Sequence, residues 1–299
     1  MRVTLLGVRG SIPVSDAAML AVGGHTSCVA VAHDGERPTL LLDAGTGLLQ
    51  FTRHFGPEPF RGTIMLGHLH WDHVMGLPFF RPADHPDAET TVLVPEQGGS
   101  AVDLLGRMMS PPSFPITPTT LRGRWSYAGY EEGWIERDGF RVLAREIPHK
   151  GGRTMGLRVT DGSGTIAYLS DHSPHDLGPG IDGTGELHDA ALELAADADV
   201  LLHDAQYTAS ELPARRHFGH AAAEYAVHLG AAAGVGRVLL YHHDPSRTDA
   251  DVDAIADVVR GLATVPVDVA REGMTLQLPE RPGAGGHDVA DVAPRARMD

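Results

Sequence analysis

The sequence predicts an α/β chain, an α+β sandwich in which two β-sheets lie between layers of helix. Three observations carry this. Short apolar runs closed by Gly, Pro or Asp recur from Arg2 to Leu278 and read as strands. Each strand-rich half is followed by helical segments, which suggests sheets covered on their outer faces. Histidines and aspartates gather where the apolar runs stop.

Taken in order, Arg2 to Leu6 opens as a strand turned by Gly7, Gly10 and Pro13. Thr26 to Ala32 and Thr39 to Leu42 follow, the latter ending at Asp43 and a helix through about Phe55. Asp43 reads as a turn or helix-start residue. Thr63 to Leu66 is a buried strand running into Gly67, and a short helix is expected over Val74 to Phe80. Thr91 to Val94 is a strand and Gly99 to Met109 a helix. Ser110 to Pro118 holds too many prolines for either and reads as a surface loop plugged by Phe114. That loop suits a lid or a packing element equally. Trp125, Tyr127, Tyr130 and Trp134 suit base stacking, core packing or a dimer contact.

Phe140 to Ile147 alternates as a strand and stops at Pro148-His149. Met155 to Val159 and Thr165 to Leu169 form a hairpin that runs out at Ser170-Asp171-His172. Glu186 to Ala196 is helical, Val200 to Leu202 a strand, and Gly219-His220 opens an Ala-rich helix to about Ala233. Val238 to Tyr241 ends at His242-His243. Asp249 to Leu262 places Val252, Ile255, Ala256 and Val259 at helical spacing. Val265 to Val269 and Met274 to Leu278 close the fold. The halves, to about 150 and from about 155, have the aspect of a distant structural repeat. No stretch reads as a linker, so one domain is expected over 1–279, with a disordered tail over 280–299.

Bulk properties narrow the function. The net charge is -15 and Lys150 is the only lysine. A protein gripping long nucleic acid usually shows a basic face; here the local concentrations, such as Arg122/Arg124 and Arg215/Arg216, are small, so no long nucleic acid is expected. No apolar run is long enough for a membrane span, and the start lacks signal-peptide features. Cys28 is the lone cysteine, which excludes an intrachain disulfide and fits a cytoplasmic protein.

The organising stretch is Gly67-His68-Leu69-His70-Trp71-Asp72-His73. In extended chain His68, His70 and Asp72 share a face. His73 joins them through a bend. Two imidazoles suit one cation, and the carboxylate with the third imidazole suits a second.

This motif resembles the metallo-β-lactamase superfamily of dinuclear metal hydrolases, whose αββα four-layer fold requires three further ligands at strand ends. His149, Asp171 and His242 meet that demand. The resemblance assigns His68, His70 and His149 to one metal, Asp72, His73 and His242 to the other, and Asp171 to both. It implies two divalent ions, zinc first, with manganese and iron also compatible. Asp43 becomes a support beneath the metal loop. The nearest branch is the ribonuclease Z-like phosphodiesterases, on the strength of Leu201-Leu202-His203-Asp204-Ala205-Gln206-Tyr207, Phe218-Gly219-His220-Ala221 and Leu240-Tyr241-His242-His243-Asp244-Pro245. It implies Asp72 and His220 as catalytic residues, the first orienting a metal-activated water and the second protonating the leaving alkoxide. A homodimer is common in that branch. His220 also suits a plain helix-start role, and His172 and His243 remain open as supporting or unrelated groups.

The chain departs from ribonuclease Z in having no long basic arm. The expected substrate is therefore a small phosphodiester, a cyclic nucleotide first. The alternatives are a carboxyl-ester, lactone or thioester hydrolase, an RNA 3′-processing endonuclease, and a non-catalytic metal-binding regulator.

Overall fold

A computed structural model describes residues 1–180 and 182–279; the expected tail at 280–299 lies outside the described residues. The elements run β1 (Arg2–Gly7), β2 (Cys28–Ala32), β3 (Leu40–Leu42), α1 (Phe51–Phe55), β4 (Arg61–Met65), α2 (Trp71–Val74), β5 (Glu89–Pro95), α3 (Ala101–Gly106), β6 (Arg124–Tyr130), β7 (Gly133–Arg137) and β8 (Phe140–Glu146). They continue with β9 (Met155–Thr160), β10 (Thr165–Leu169), α4 (Asp189–Ala195), β11 (Val200–Asp204), α5 (Leu212–Arg215), α6 (Ala223–Ala232), β12 (Val238–Tyr241), α7 (Asp249–Arg260), β13 (Val267–Val269) and β14 (Thr275–Gln277).

Two mixed sheets result, ordered β14-β1-β2-β3-β4-β5-β6 and β13-β12-β11-β10-β9-β8-β7. Period-two alternation decides which side chains meet between them. Val29 and Val31 face the core shared with Leu157, Leu169 and Leu201. Cys28 and Ala30, one residue out of step, pack beneath Phe51, Phe60 and Phe80 instead. On the other sheet α7 buries Val252, Ala256 and Val259, the stripe its sequence spacing predicts. Its first turn is closed by Thr248 and Asp251, each accepting the other's backbone N–H.

Strand direction builds the site. β10, β11 and β12 are mutually parallel, and β8 runs their way because β9 is antiparallel to both β8 and β10. In the first sheet β3 and β4 are parallel, and β1 matches them through antiparallel β2. The C-terminal ends of these strands thus lead into one loop edge, carrying Ser11, Asp43, His68, His149, Asp171, Asp204 and His242.

Four expectations need correction. The helix placed over Val74 to Phe80 is a turn of helix at Trp71–Val74 followed by a 3₁₀ turn at Leu77–Phe79, because His70 in extended backbone already starts the bend. α6 begins at Ala223 with Ala222 at its cap, so His220 lies on the loop before it. The sheets divide between β6 and β7 rather than near 150, and β14 returns to pair with β1. Finally, the aromatic stretch forms β6 and β7, edge strands with mostly exposed alternation that obscures a sheet pattern.

Those aromatics do structural work. Tyr130 is buried and donates to the Leu66 carbonyl at 2.7 Å, tying β6 to the start of the metal motif. Trp125 and Tyr127 stack at 6.3 Å and pack on the first-sheet core. Phe114 packs there too, edge-on to Phe79 at 6.0 Å, as the expected plug. No helix of the described residues is long and apolar enough to cross a membrane.

Candidate metal centre

All seven expected ligands converge in two groups whose donor atoms lie within 4.8 Å of one another: His68, His70 and His149, then Asp72, His73, Asp171 and His242. Asp171 lies between the groups. Its Oδ1 is 3.8 Å from His68 Nε2, 3.6 Å from His149 Nε2 and 3.4 Å from His242 Nε2. Its Oδ2 is 3.0 Å from His73 Nε2. Asp72 Oδ2 is 3.3 Å from His73 Nε2 and 3.1 Å from His242 Nε2. His70 Nδ1 faces His149 Nε2 at 3.4 Å. The opposite edge of His70 presses on Gly151, where an added Cβ would come within 2.6 Å of Nε2.

Hydrogen bonds orient these donors from behind. Asp43 accepts from the Gly67 amide, His73 Nδ1 and the Tyr168 hydroxyl, each at 2.7 Å. It is therefore a support of the metal loop, not a helix cap. His149 Nδ1 donates to the Gly219 carbonyl at 2.6 Å, leaving Nε2 for the site. Non-glycine residues at positive φ include Ser11 (61°), Asp43 (60°) and His242 (57°), all at this edge. Such backbone strain concentrates at functional sites.

A cation fits the cluster. Both oxygens of Asp171, both ring nitrogens of His68 and Nε2 of His73 are buried without a hydrogen-bond partner. An ionised carboxylate buried without donors is costly, by several kcal/mol in order of magnitude. Divalent ions shared among these nitrogens and oxygens would satisfy the orphaned atoms.

The charge pattern agrees. Against the cost of burial, imidazoles hold Asp72 and Asp171 well below the carboxylate range, so both are ionised. Burial pushes His68 well down and His149 to about 4. Burial opposes protonation of His73 and His242 also, but Asp171 and Asp72 overcome it, raising His73 well above the ordinary value and His242 to about 9. A raised imidazole stabilises the metal-free fold below the unfolded value of about 6.5, and that contribution fades as pH climbs toward its folded value. A lowered imidazole does the reverse and costs stability as pH falls below about 6.5. Stability of the chelated protein should therefore peak near pH ~6.5 and decline on both sides, measured by denaturant unfolding at several pH values.

The expected proton donor, His220, sits beside the cluster. Its ring stacks on His242 at 5.0 Å and lies 5.1 Å from His149. Its Nδ1 donates to Asp204 Oδ2 at 2.8 Å, leaving Nε2 as the free nitrogen. Asp204 received no role from the sequence, although it ends a strand like the others. The two open histidines bond outside the ligand cluster. His243 Nε2 bonds the Ala270 carbonyl at 3.0 Å. His172 is engaged at both nitrogens, with His203 at 2.9 Å and His188 at 2.8 Å.

Sheets and site together define a metal-dependent hydrolase of the metallo-β-lactamase fold. A model of the beta-lactamase superfamily domain matches residues 39–243, and the chain belongs to that superfamily. It is 26% identical to the ribonuclease Z of Haloferax volcanii over 96% of this chain and 98% of that one. It is 30% identical to an uncharacterized protein of Mycobacterium tuberculosis, over 86% of each. The metallo-β-lactamase fold protein YhfI from Bacillus subtilis has the same fold, with a TM-score of 0.70 at 17% identity over 92% of this chain and 99% of that one.

Proposed function

We propose that this chain is a phosphodiesterase with two divalent ions, acting on a small phosphodiester, a cyclic nucleotide first. The observation that carries this reading is the Asp204–His220 pair set against the seven-ligand cluster. The bound metals, zinc first, would supply Lewis acidity and an activated water. The chain's own residues supply the rest. Asp72 and Asp171 hold the ionised oxygens. Asp43 and the Gly219 carbonyl fix two imidazoles. Asp204 orients the His220 ring through its Nδ1–H, so that the imidazolium, protonated at both nitrogens, can deliver its Nε2 proton to a departing alkoxide. A carboxyl-ester hydrolase has less use for such an acid.

The substrate class follows from charge and exposed rings. The chain carries 39 acidic residues against 24 basic ones, which disfavours a long polyanion. Trp71, between two candidate ligands, is 68% exposed, and Phe218, two residues before His220, is 57% exposed. Rings so placed beside the site offer a nucleobase a stacking face. Processing of RNA 3′ ends is the second reading, favoured by the likeness to ribonuclease Z.

Metal-loaded protein assayed on 3′,5′-cyclic nucleotides, bis(p-nitrophenyl) phosphate, a precursor tRNA and simple lactones and thioesters separates these. Turnover of the small phosphodiesters is expected. Cleavage of the precursor alone would move the assignment to RNA processing, and turnover of carboxyl esters alone would reject phosphodiester chemistry.

A further inference from the structure

We propose that Ser11 is a substrate-contacting residue whose hydroxyl donates a hydrogen bond to an oxygen of the bound phosphoryl group. The proposal deepens the phosphodiester reading and rests on it for the choice of substrate.

Ser11 is exposed, yet its backbone N–H donates to Asp72 Oδ2 at 2.7 Å. That oxygen also faces His73 and His242, so Ser11 stands against the second ligand group. Its Oγ accepts from Gln206 Nε2 at 3.2 Å. Gln206 is itself buried, and its backbone N–H donates to Asp204, the partner of His220. The hydroxyl of Ser11 is thus fixed between the Asp72 side of the cluster and the residues that orient the proton donor. One lone pair is engaged by Gln206, while its proton has no acceptor among the described residues and remains available to a ligand.

The backbone makes the same point. Ser11 has φ 61°, and Ile12 N donates to Gly10 O at 2.7 Å, which makes Ser11 the centre of a three-residue turn of the strained kind. Glycine would adopt this conformation without penalty. The turn is held from both sides. Gly10 N donates to the His243 carbonyl at 2.9 Å, and an added Cβ on Gly10 would fall within 2.6 Å of the His242 ring. Behind it, the wholly buried Arg9 guanidinium donates to the carbonyls of Gly23, Met19, Arg247 and Asp244. Packing of this extent around one exposed side chain in an unfavourable conformation is what a preorganised donor requires. Gln206 acts as a positioning residue.

Ser11→Ala and Ser11→Gly test this, the glycine variant because it removes the hydroxyl while relieving the turn. Both should lower kcat on a phosphodiester by about 10–100-fold, keep the metal content of the parent, and bind inorganic phosphate roughly tenfold more weakly by calorimetry on the metal-loaded protein. Ser11→Gly should unfold no earlier than the parent. Parental turnover and phosphate affinity in Ser11→Gly would overturn the proposal, as would activity lost in step with metal. If the parent protein hydrolyses no phosphodiester, the phosphodiester reading fails by itself. The phosphate arm then decides on Ser11: weaker binding in the glycine variant supports the contact, and equal binding rejects it.

Discussion

Asp171→Ala should abolish metal-dependent turnover, by about 10³-fold or more, and take bound metal with it. The magnitude follows from position. Asp171 is 1% exposed and lies within 3.8 Å of nitrogens from both ligand groups. Without it, His68 and His149 on one side and His73 and His242 on the other lose their shared anion. The effect on stability should have the opposite sense. In the chelated protein at a pH above the raised values of His73 and His242, where no imidazolium pairs with it, Asp171 is a buried charge lacking hydrogen bonds, so removing it there should leave the fold as stable or slightly more stable. Elemental analysis and denaturant unfolding of parent and variant, with and without chelator, check both halves. A variant that loses stability in chelator at that pH would mark Asp171 as a structural residue instead.

The second large effect concerns His220. His220→Ala should slow hydrolysis of an alkyl phosphodiester, such as a cyclic nucleotide, by about 10²–10⁴-fold. The same variant should lose far less on bis(p-nitrophenyl) phosphate, because nitrophenolate departs readily without a proton. Asp204→Asn should follow the same selective pattern more weakly, since Asp204 acts only through the His220 ring it holds at 2.8 Å. Kinetics on the two substrates read this directly. Equal losses on both would show that His220 supports the metal site rather than the leaving group.

The metal motif was legible because its ligands lie within one strand-end segment, and His149, Asp171 and His242 because each ends its own strand. Asp43 was correctly placed as a support by the resemblance, whereas the residue pattern alone suggested a turn or cap; its three partners come from Gly67, His73 and Tyr168, which no local pattern joins to it. Asp204 escaped notice for the same reason. Its partner is 16 residues away on a loop, and the helix that His220 was expected to open starts only at Ala223. Ser11 was further out of reach, 61 residues from Asp72 and 195 from Gln206. β6 and β7 stayed hidden because edge strands expose both faces and lose the apolar alternation that marks a half-buried strand. The return of β14 to β1 is a pairing between chain ends, which periodicity cannot express.

The most direct test of the central claim is a metal titration of the chelated protein followed by calorimetry in buffers of different ionisation enthalpy. Two sets of donors should bind about two equivalents of zinc or manganese per chain, with protons released on binding, because His73 and His242 hold protons that a metal must displace. Binding of no stoichiometric divalent ion, or uptake unchanged by Asp171→Ala, would contradict the account.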